Sequence, residues 1–188
     1  FNAYDPHNST SADGYVYIIY CAFIYGKYHI ILQKMDSKGN KAGEMIRISD
    51  QTGSSFWPSI APRKSGGVWI CWSSFTGYRR FQDTYLQHYS YKSRRNIFTY
   101  VPMIYAAIYV DDKLYNPIPN PEEKQAYVDA FLVDNSEGAK QPLIFEMKNG
   151  SVHIIYRKHK GKDKFNRYPD YSITTLTRGG WQDSVSIV

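Results

Sequence analysis

Long hydrophobic runs are missing from this chain of 188 residues. The richest, Tyr15 to Tyr25, falls well short of the ~20 residues that a bilayer-spanning helix needs. That excludes a helical membrane anchor within the sequence, and no membrane insertion is expected. Cysteine is scarce: Cys21 and Cys71 are the only two, too few for a disulfide framework and not spaced as metal ligands. No histidine pair supplies ligand spacing either, so neither a metal nor another cofactor is expected. A phosphate-cradling glycine loop is also absent, because Gly66-Gly67 and Gly179-Gly180 read as hairpin turns. The chain opens at Phe1 without a basic n-region or an apolar h-region. It has no initiator Met, which leads to the expectation of a piece of a longer polypeptide.

Aromatic residues are abundant. Eighteen Tyr, nine Phe and four Trp make 16% of the chain, within 43% apolar and 21% charged residues. Those totals are globular, and the aromatic share favours pleated, half-buried strands.

A repeat organises the sequence. The segments Pro6–Tyr20, Pro58–Trp72 and Pro142–Tyr156 align without gaps. In each, Pro is followed eight residues later by Gly (Gly14, Gly66, Gly150) and ten later by Val (Val16, Val68, Val152). The residue before the Gly is Asp13, Ser65 or Asn149, all turn formers. Each unit therefore reads as two antiparallel strands joined by a tight turn, with Pro at the beginning of the first. The second strand is apolar on both faces and must be covered on both sides. Further strands follow at Tyr28 to Met35, Met45 to Ser49, Thr84 to Ser90, Tyr171 to Thr177 and Val185 to Val188, with a hairpin at Asp111-Asp112.

Four strands in a meander of about 50 residues, repeated, is the pattern of a propeller blade. The expected fold is thus all-β, a β-propeller of four-stranded antiparallel blades, about three of them in this chain: 6–57, 58–141 and 142–188. The second repeat is longer than the first, which places an insertion at about 92–140. Within it, Asn120 as N-cap, Pro121, Glu122 and Glu123 in the first turn, and the spacing of Tyr127, Ala130, Phe131 and Asp134 predict a short helix at about 121–134. A degenerate fourth blade over 100–140 is the alternative.

Trp57-Pro58-Ser-Ile-Ala, Gly66-Gly67-Val68-Trp69-Ile70, Asn149 through Arg157, and Gly179-Gly180-Trp181 resemble blades of the sialidase-like, BNR-repeat family of β-propellers. Polysaccharide lyases with related propellers are about as similar. The family's Asp-box is not present intact, so the resemblance implies the fold more than the activity. It implies a ligand site at the end of a central channel, lined by inter-blade loops and by the loops after the second strands. Three blades do not close a ring, so the other blades are expected from the same longer polypeptide or from partner or identical chains.

The loops after the second strands are 21–27, 73–82 and 157–169. They hold nine of the 23 basic residues, among them Arg79, Arg80 and Arg157, against one acid, Asp163. Positive charge on one face draws anionic ligands. Aromatic residues are interleaved there, including Tyr25 and Tyr78, and Tyr4-Asp5, Phe56-Trp57 and Lys140-Gln141 precede the three prolines. Aromatic faces suit sugar rings, and arginine binds carboxylate or sulfate bidentately. The expected partner is an acidic polysaccharide or glycoconjugate, engaged by Asp5, Trp57, Tyr78, Arg79, Arg80 and Arg157. A basic aromatic face also suits nucleic acid, but no RNA-binding motif or basic helix is present, so none is expected. Activity would be that of a glycoside hydrolase or a polysaccharide lyase, for which Asp83, Tyr85 and His159 are the catalytic candidates. The alternative is a non-catalytic glycan-binding or assembly module. His153 reads as a residue packed between blades, and Cys21 and Cys71 as buried free thiols facing the same way. A secreted or cell-surface location is expected for such a partner.

Overall fold

Each repeat forms one antiparallel sheet in the computed structural model, which describes residues 3–49, 53–81, 97–117, 132–134, 139–158, 170–177 and 180–187. The first sheet runs β1 (Ala3–Thr10), β2 (Val16–Ile24), β3 (Lys27–Met35) and β4 (Ile46–Arg47), in that order. The second contains β5 (Ser55–Pro62), β6 (Val68–Phe81), β7 (Ile97–Val110) and β8 (Lys113–Tyr115), with β9 (Leu132–Asp134) also on β7. The third contains β10 (Lys140–Glu146), β11 (Val152–Lys158), β12 (Asp170–Thr177) and β13 (Gly180–Trp181), with β14 (Val185–Ser186) also on β12. The first strands are innermost, since β5 lies against both β1 and β10.

The turns between first and second strands share one construction. The Gly14, Gly66 and Gly150 N–H groups donate to the Ser11, Arg63 and Met147 carbonyls, at 3.0, 3.2 and 2.9 Å. That glycine takes positive φ in each (82°, 90° and 86°), followed in the second turn by Gly67 at 71°, which is a type I turn closed by a left-handed residue. The hairpin expected at Asp111-Asp112 joins β7 to β8, with both residues at positive φ.

The third strand of the second sheet is Ile97–Val110, and the strand expected at 84–90 lies outside the described residues. The 14-residue β6 and β7 pair along their whole length. Pro102 is tolerated because the β6 register shifts opposite it, between Ser74 and Gly77, so its missing N–H breaks no ladder bond.

The predicted helix is corrected where it can be seen. No helix occurs among the described residues, and Leu132–Asp134, the end of the expected helix, is strand β9 paired with Ile104 and Tyr105. Val133 packs on the core beside Ile104, so edge pairing outweighs the local helical spacing. Residues 118–131 lie outside the described residues. The fourth strand is broken at a similar place in every sheet: between the Met35↔Lys41 bridge and β4, between β8 and β9, and between β13 and β14. The break is longest in the second sheet. Part of the extra length of that repeat enters there.

Two cores lie between the sheets. Tyr17, Ile19 and Cys21 pack against Val68, Ile70 and Trp72. On the other face of β6, Trp69 and Cys71 pack against Val152, Ile154 and Tyr156. The doubly apolar strand read from the sequence is therefore covered on both sides in the second sheet. Ile19, Ile70 and Ile154 are completely buried, and truncating any one to Ala costs about 2–5 kcal/mol. Both cysteines are free and buried, one in each core. His153 sits on the opposite face of β11 from Ile154, away from the second sheet. It stacks on Phe145 with ring centroids 5.4 Å apart and bonds to Ser151 and Thr175 at 2.8 and 2.9 Å. No helix among the described residues is long and apolar enough to cross a membrane.

Candidate functional site

The prolines do not open their strands, as expected from sequence, but follow a bulge inside them. In β1, Tyr4 pairs with Cys21 and His7 with Ile19, so three steps on one strand oppose two on the other. The same offset recurs between Phe56↔Ser73 and Ser59↔Cys71, and between Lys140↔Arg157 and Leu143↔Ile155. One extra residue is thus inserted at the same place in each inner strand. The residue before each proline, Asp5, Trp57 or Gln141, takes a left-handed backbone with φ of 52°, 52° and 54°. That conformation costs an L-residue roughly 1–2 kcal/mol, and a following proline restricts the backbone further. Strained positions of this kind concentrate at functional sites.

All three strained residues line one pocket of about 420 Å³. Tyr4 and Asp5 come from β1, Cys21 from β2, Tyr28 from β3, Phe56 and Trp57 from β5, and Gln141 from β10. The pocket sits where β1, β5 and β10 begin and where β2 ends; β11 ends on the same side, and β6 runs on past it beside β7.

Its wall is aromatic. Tyr28 stands 4.7 Å from Phe56 and 6.0 Å from Tyr4, centroid to centroid, and Phe56 is 5.8 Å from Trp57. Phe75 backs this pair, 5.5 Å from Phe56 and 6.2 Å from Trp57. The polar groups are fewer. The Asp5 carboxylate lies 3.3 Å from His7 Nε2. The Arg157 guanidinium donates to Gln141 Oε1 at 2.5 Å, while its buried Nε has no acceptor among the described residues. The Cys21 thiol donates to the Ser55 carbonyl at 3.2 Å. Burial, and then the charge of Asp5, push that thiol up to about 11, so it stays protonated and serves as a packing group, not a nucleophile.

Of the residues singled out in the sequence, Asp5 and Trp57 come together in this pocket, and Arg157 reaches it through Gln141. The segment 73–81, expected as a loop, is instead the continuation of strand β6, where Tyr78, Arg79 and Arg80 pair with Tyr100, Thr99 and Phe98 because β7 runs alongside it. Asp83, Tyr85 and His159 lie outside the described residues. Tyr4, Phe56 and Gln141, noted only as part of the pairs before the prolines, line it too, whereas Cys21 and Tyr28 were not singled out for a site. For Gln141 a signal existed: it occupies the same column as Asp5 and Trp57, immediately before the repeated proline.

An aromatic wall with a few hydrogen-bonding groups can take the apolar face of a ring while the polar groups meet its rim. Among the described residues no cluster of His, Cys, Asp and Glu could hold a metal ion.

No family model matches the chain, and no curated protein sequence matches it. Among solved structures it is similar to a polysaccharide lyase, Uly1, at 13% identity and a TM-score of 0.57, over 96% of this chain and 40% of that one. A protein of unknown function from Dyadobacter fermentans is similar at 15% identity and a TM-score of 0.56, over 97% and 54%. A thermostable family-43 glycoside hydrolase is similar at 13% identity and a TM-score of 0.51, over 97% and 57%. This chain therefore spans roughly half the length of the structures it matches. At these identities the likeness shows a shared fold, the antiparallel all-β arrangement of four-stranded sheets described above.

Proposed function

We propose that this chain is part of a β-propeller that engages an acidic glycan in the pocket between its inner strands. The observation that carries this reading is the threefold bulge. Three sheets each hold a residue with a left-handed backbone, Asp5, Trp57 and Gln141, against one aromatic-walled pocket. Trp57, Phe56 and Tyr28 would stack on sugar faces, and Asp5 and Gln141 would meet hydroxyls. Arg157, with Arg79, Arg80 and the basic residues of the segment after β11, would supply the attraction for carboxylate or sulfate. That a polysaccharide lyase and a glycoside hydrolase share the fold supports the same class of ligand. A secreted or cell-surface setting follows from it.

Hydrolysis of a glycosidic bond by the usual route needs two carboxyls. Among the described residues Asp5 is the one carboxylate lining the pocket, and it is hydrogen-bonded to His7. Hydrolysis would pair Asp5 with a second carboxyl, lyase chemistry would have His7 or a pocket tyrosine take a proton, and the alternative is binding without turnover. Asp83, Tyr85 and His159 stay candidates for the catalytic groups. The three sheets would be consecutive blades, with other blades from the same polypeptide or from copies covering the half-buried outer faces at Ile18 and Ile155.

Titration calorimetry with acidic and neutral oligosaccharides tests the reading, with absorbance of an unsaturated uronate and new reducing ends as readouts of turnover. Trp57→Ala should weaken binding about tenfold, the loss of one stacked ring of ~1.4 kcal/mol. Arg157→Ala should weaken acidic ligands alone. Equal affinity of the wild-type chain for neutral glycans would sink the acidic assignment, and binding without either product would establish the module as non-catalytic.

A further inference from the structure

The hairpin between β2 and β3 carries a second unexplained strain. Ile24 pairs with Lys27, which leaves Tyr25-Gly26 as a two-residue turn with φ of 49° and 81°. That turn class favours Asn, Asp or Gly at its first position, because both residues must be left-handed. Tyrosine is a poor choice there on steric grounds. Packing normally compensates such a choice, yet Tyr25 is 97% exposed, the highest figure for a large hydrophobic residue among the described residues. Neither the turn nor the core accounts for it.

Its position does. Cys21, Phe23 and Tyr25 follow one another at alternate places along β2 and its turn, leading outward from the pocket. Phe23, 45% exposed, stands 5.0 Å from Tyr28, which is 4.7 Å from Phe56. The row of rings thus continues from Trp57 through Phe56 and Tyr28 to Phe23, and the hairpin tip lies roughly 7 Å further, at ~3.3 Å per strand residue. Tyr28, Phe56 and Trp57 line the pocket, whereas Phe23 and Tyr25 lie beyond it.

We infer that Phe23 and Tyr25 form an outer stacking platform, and that the ligand is an extended glycan chain passing over the hairpin, not a single terminal sugar. This inference rests on the glycan reading of the pocket and adds to it the length of the ligand. A ligand confined to the pocket would gain nothing from an exposed ring on a strained turn. A chain that leaves the pocket over Tyr28 meets Phe23 and then Tyr25.

The test measures affinity for short and long oligomers of polygalacturonate, polyglucuronate and chondroitin sulfate by titration calorimetry. Three proteins are compared: the wild-type chain, Tyr25→Asn and Trp57→Ala. Wild-type affinity should rise with oligomer length. Tyr25→Asn should bind long oligomers about fivefold to tenfold more weakly and short ones unchanged. It should also melt about 2–4 °C higher, because asparagine suits the left-handed position. Trp57→Ala should lose affinity at every length. If Tyr25→Asn keeps the wild-type dependence on length, the platform is refuted while the pocket reading stands. A wild-type chain that binds none of these glycans overturns both. A drop in solution mass of Tyr25→Asn by light scattering, with glycan affinity unchanged, would assign Tyr25 to a contact between copies instead.

Discussion

The two ends of the three sheets handle the same backbone problem in different ways. At the end away from the pocket, positive φ falls on Gly14, Gly66, Gly67 and Gly150, and on Asp111 and Asp112, whose short polar side chains tolerate it. At the pocket end it falls on Asp5, Tyr25, Trp57 and Gln141 as well as Gly26. The far end spends its side chains on joining sheets. Ser11 Oγ donates to the Gly67 carbonyl at 2.7 Å, and Trp69 Nε1 donates to Glu146 at 2.8 Å. Lys34 pairs with Asp112 at 3.2 Å. The pocket end leaves Tyr4, Phe23 and Tyr25 exposed. A chain that places glycine wherever the fold alone needs it, yet keeps Trp and Tyr in left-handed positions around a pocket, separates the residues that stabilise it from those that serve a ligand.

Breaking the far end should have the largest effect on stability. A Cβ on Gly67 would lie 2.3 Å from the Tyr109 carbonyl oxygen and 2.8 Å from Val110 Cβ, and φ is 71° there. Overpacking and left-handed strain together should destabilise Gly67→Ala by about 3 kcal/mol. At Gly66 a Cβ meets nothing within 4 Å, with φ of 90°, so Gly66→Ala should cost only about 1 kcal/mol. Urea denaturation of the two variants checks this, and equal losses would show that strain, not contact between β6 and β7, governs that end.

The far end was the more legible of the two in the sequence. Its turns announce themselves through Asp-Gly, Ser-Gly and Asn-Gly at a fixed distance from valine, and its cores through alternation along β2, β6 and β11. The third strand of the second sheet was not legible, because Pro102 and the basic stretch before Ile97 disguise a strand that only pairing with β6 reveals. At the pocket end the prolines were visible but their meaning was not. A bulge is a mismatch between two strands, so it has no sign in either strand alone. Asp5 and Trp57 stood out by chemical type. Gln141 did not, although it holds the same place before its proline, and the Arg157 contact with the shared left-handed backbone shows its role. Cys21 and Tyr28 join the site by packing between sheets, which no local pattern records.

Asp13 sharpens the comparison at a smaller magnitude. Burial works to raise its carboxyl. Hydrogen bonds outweigh that: the Tyr15 N–H at 3.2 Å, the Tyr17 hydroxyl at 3.0 Å and the Gly67 N–H of the next sheet at 3.4 Å. The net result lies below the ordinary 3.8. A carboxyl lowered on folding stabilises the fold at pH values above its unfolded pKa, and the contribution fades as pH falls through the folded one. Asp13→Asn should therefore cost about 1 kcal/mol at neutral pH, the value of charged hydrogen bonds discounted for exposure. The gap between variant and wild type should close as pH falls below the ordinary carboxylate range and through the lowered value. A constant gap from neutral to acid pH would mean that the carboxylate's charge contributes nothing.

The two thiols give the finest test, because they sit in matching strands but on different sides of this divide. Cys71 is completely buried between the second and third sheets, and burial raises its thiol strongly, against a lowering hydrogen bond with Ser59. Cys21 is nearly as buried but borders the pocket, with Asp5 adding its charge to the effect of burial. Both should resist a thiol reagent in the folded chain at pH 8, since the thiolate is the reactive form and both thiols stay protonated. Cys21 should nevertheless label first. Asp5→Asn removes the nearby charge and should hasten labelling of Cys21 while leaving Cys71 unaffected. A bound glycan should slow Cys21 alone, which mass spectrometry of labelled peptides would read directly. Labelling of Cys71 before Cys21, or equal protection of both by ligand, would mean that the pocket is not the region the ligand covers.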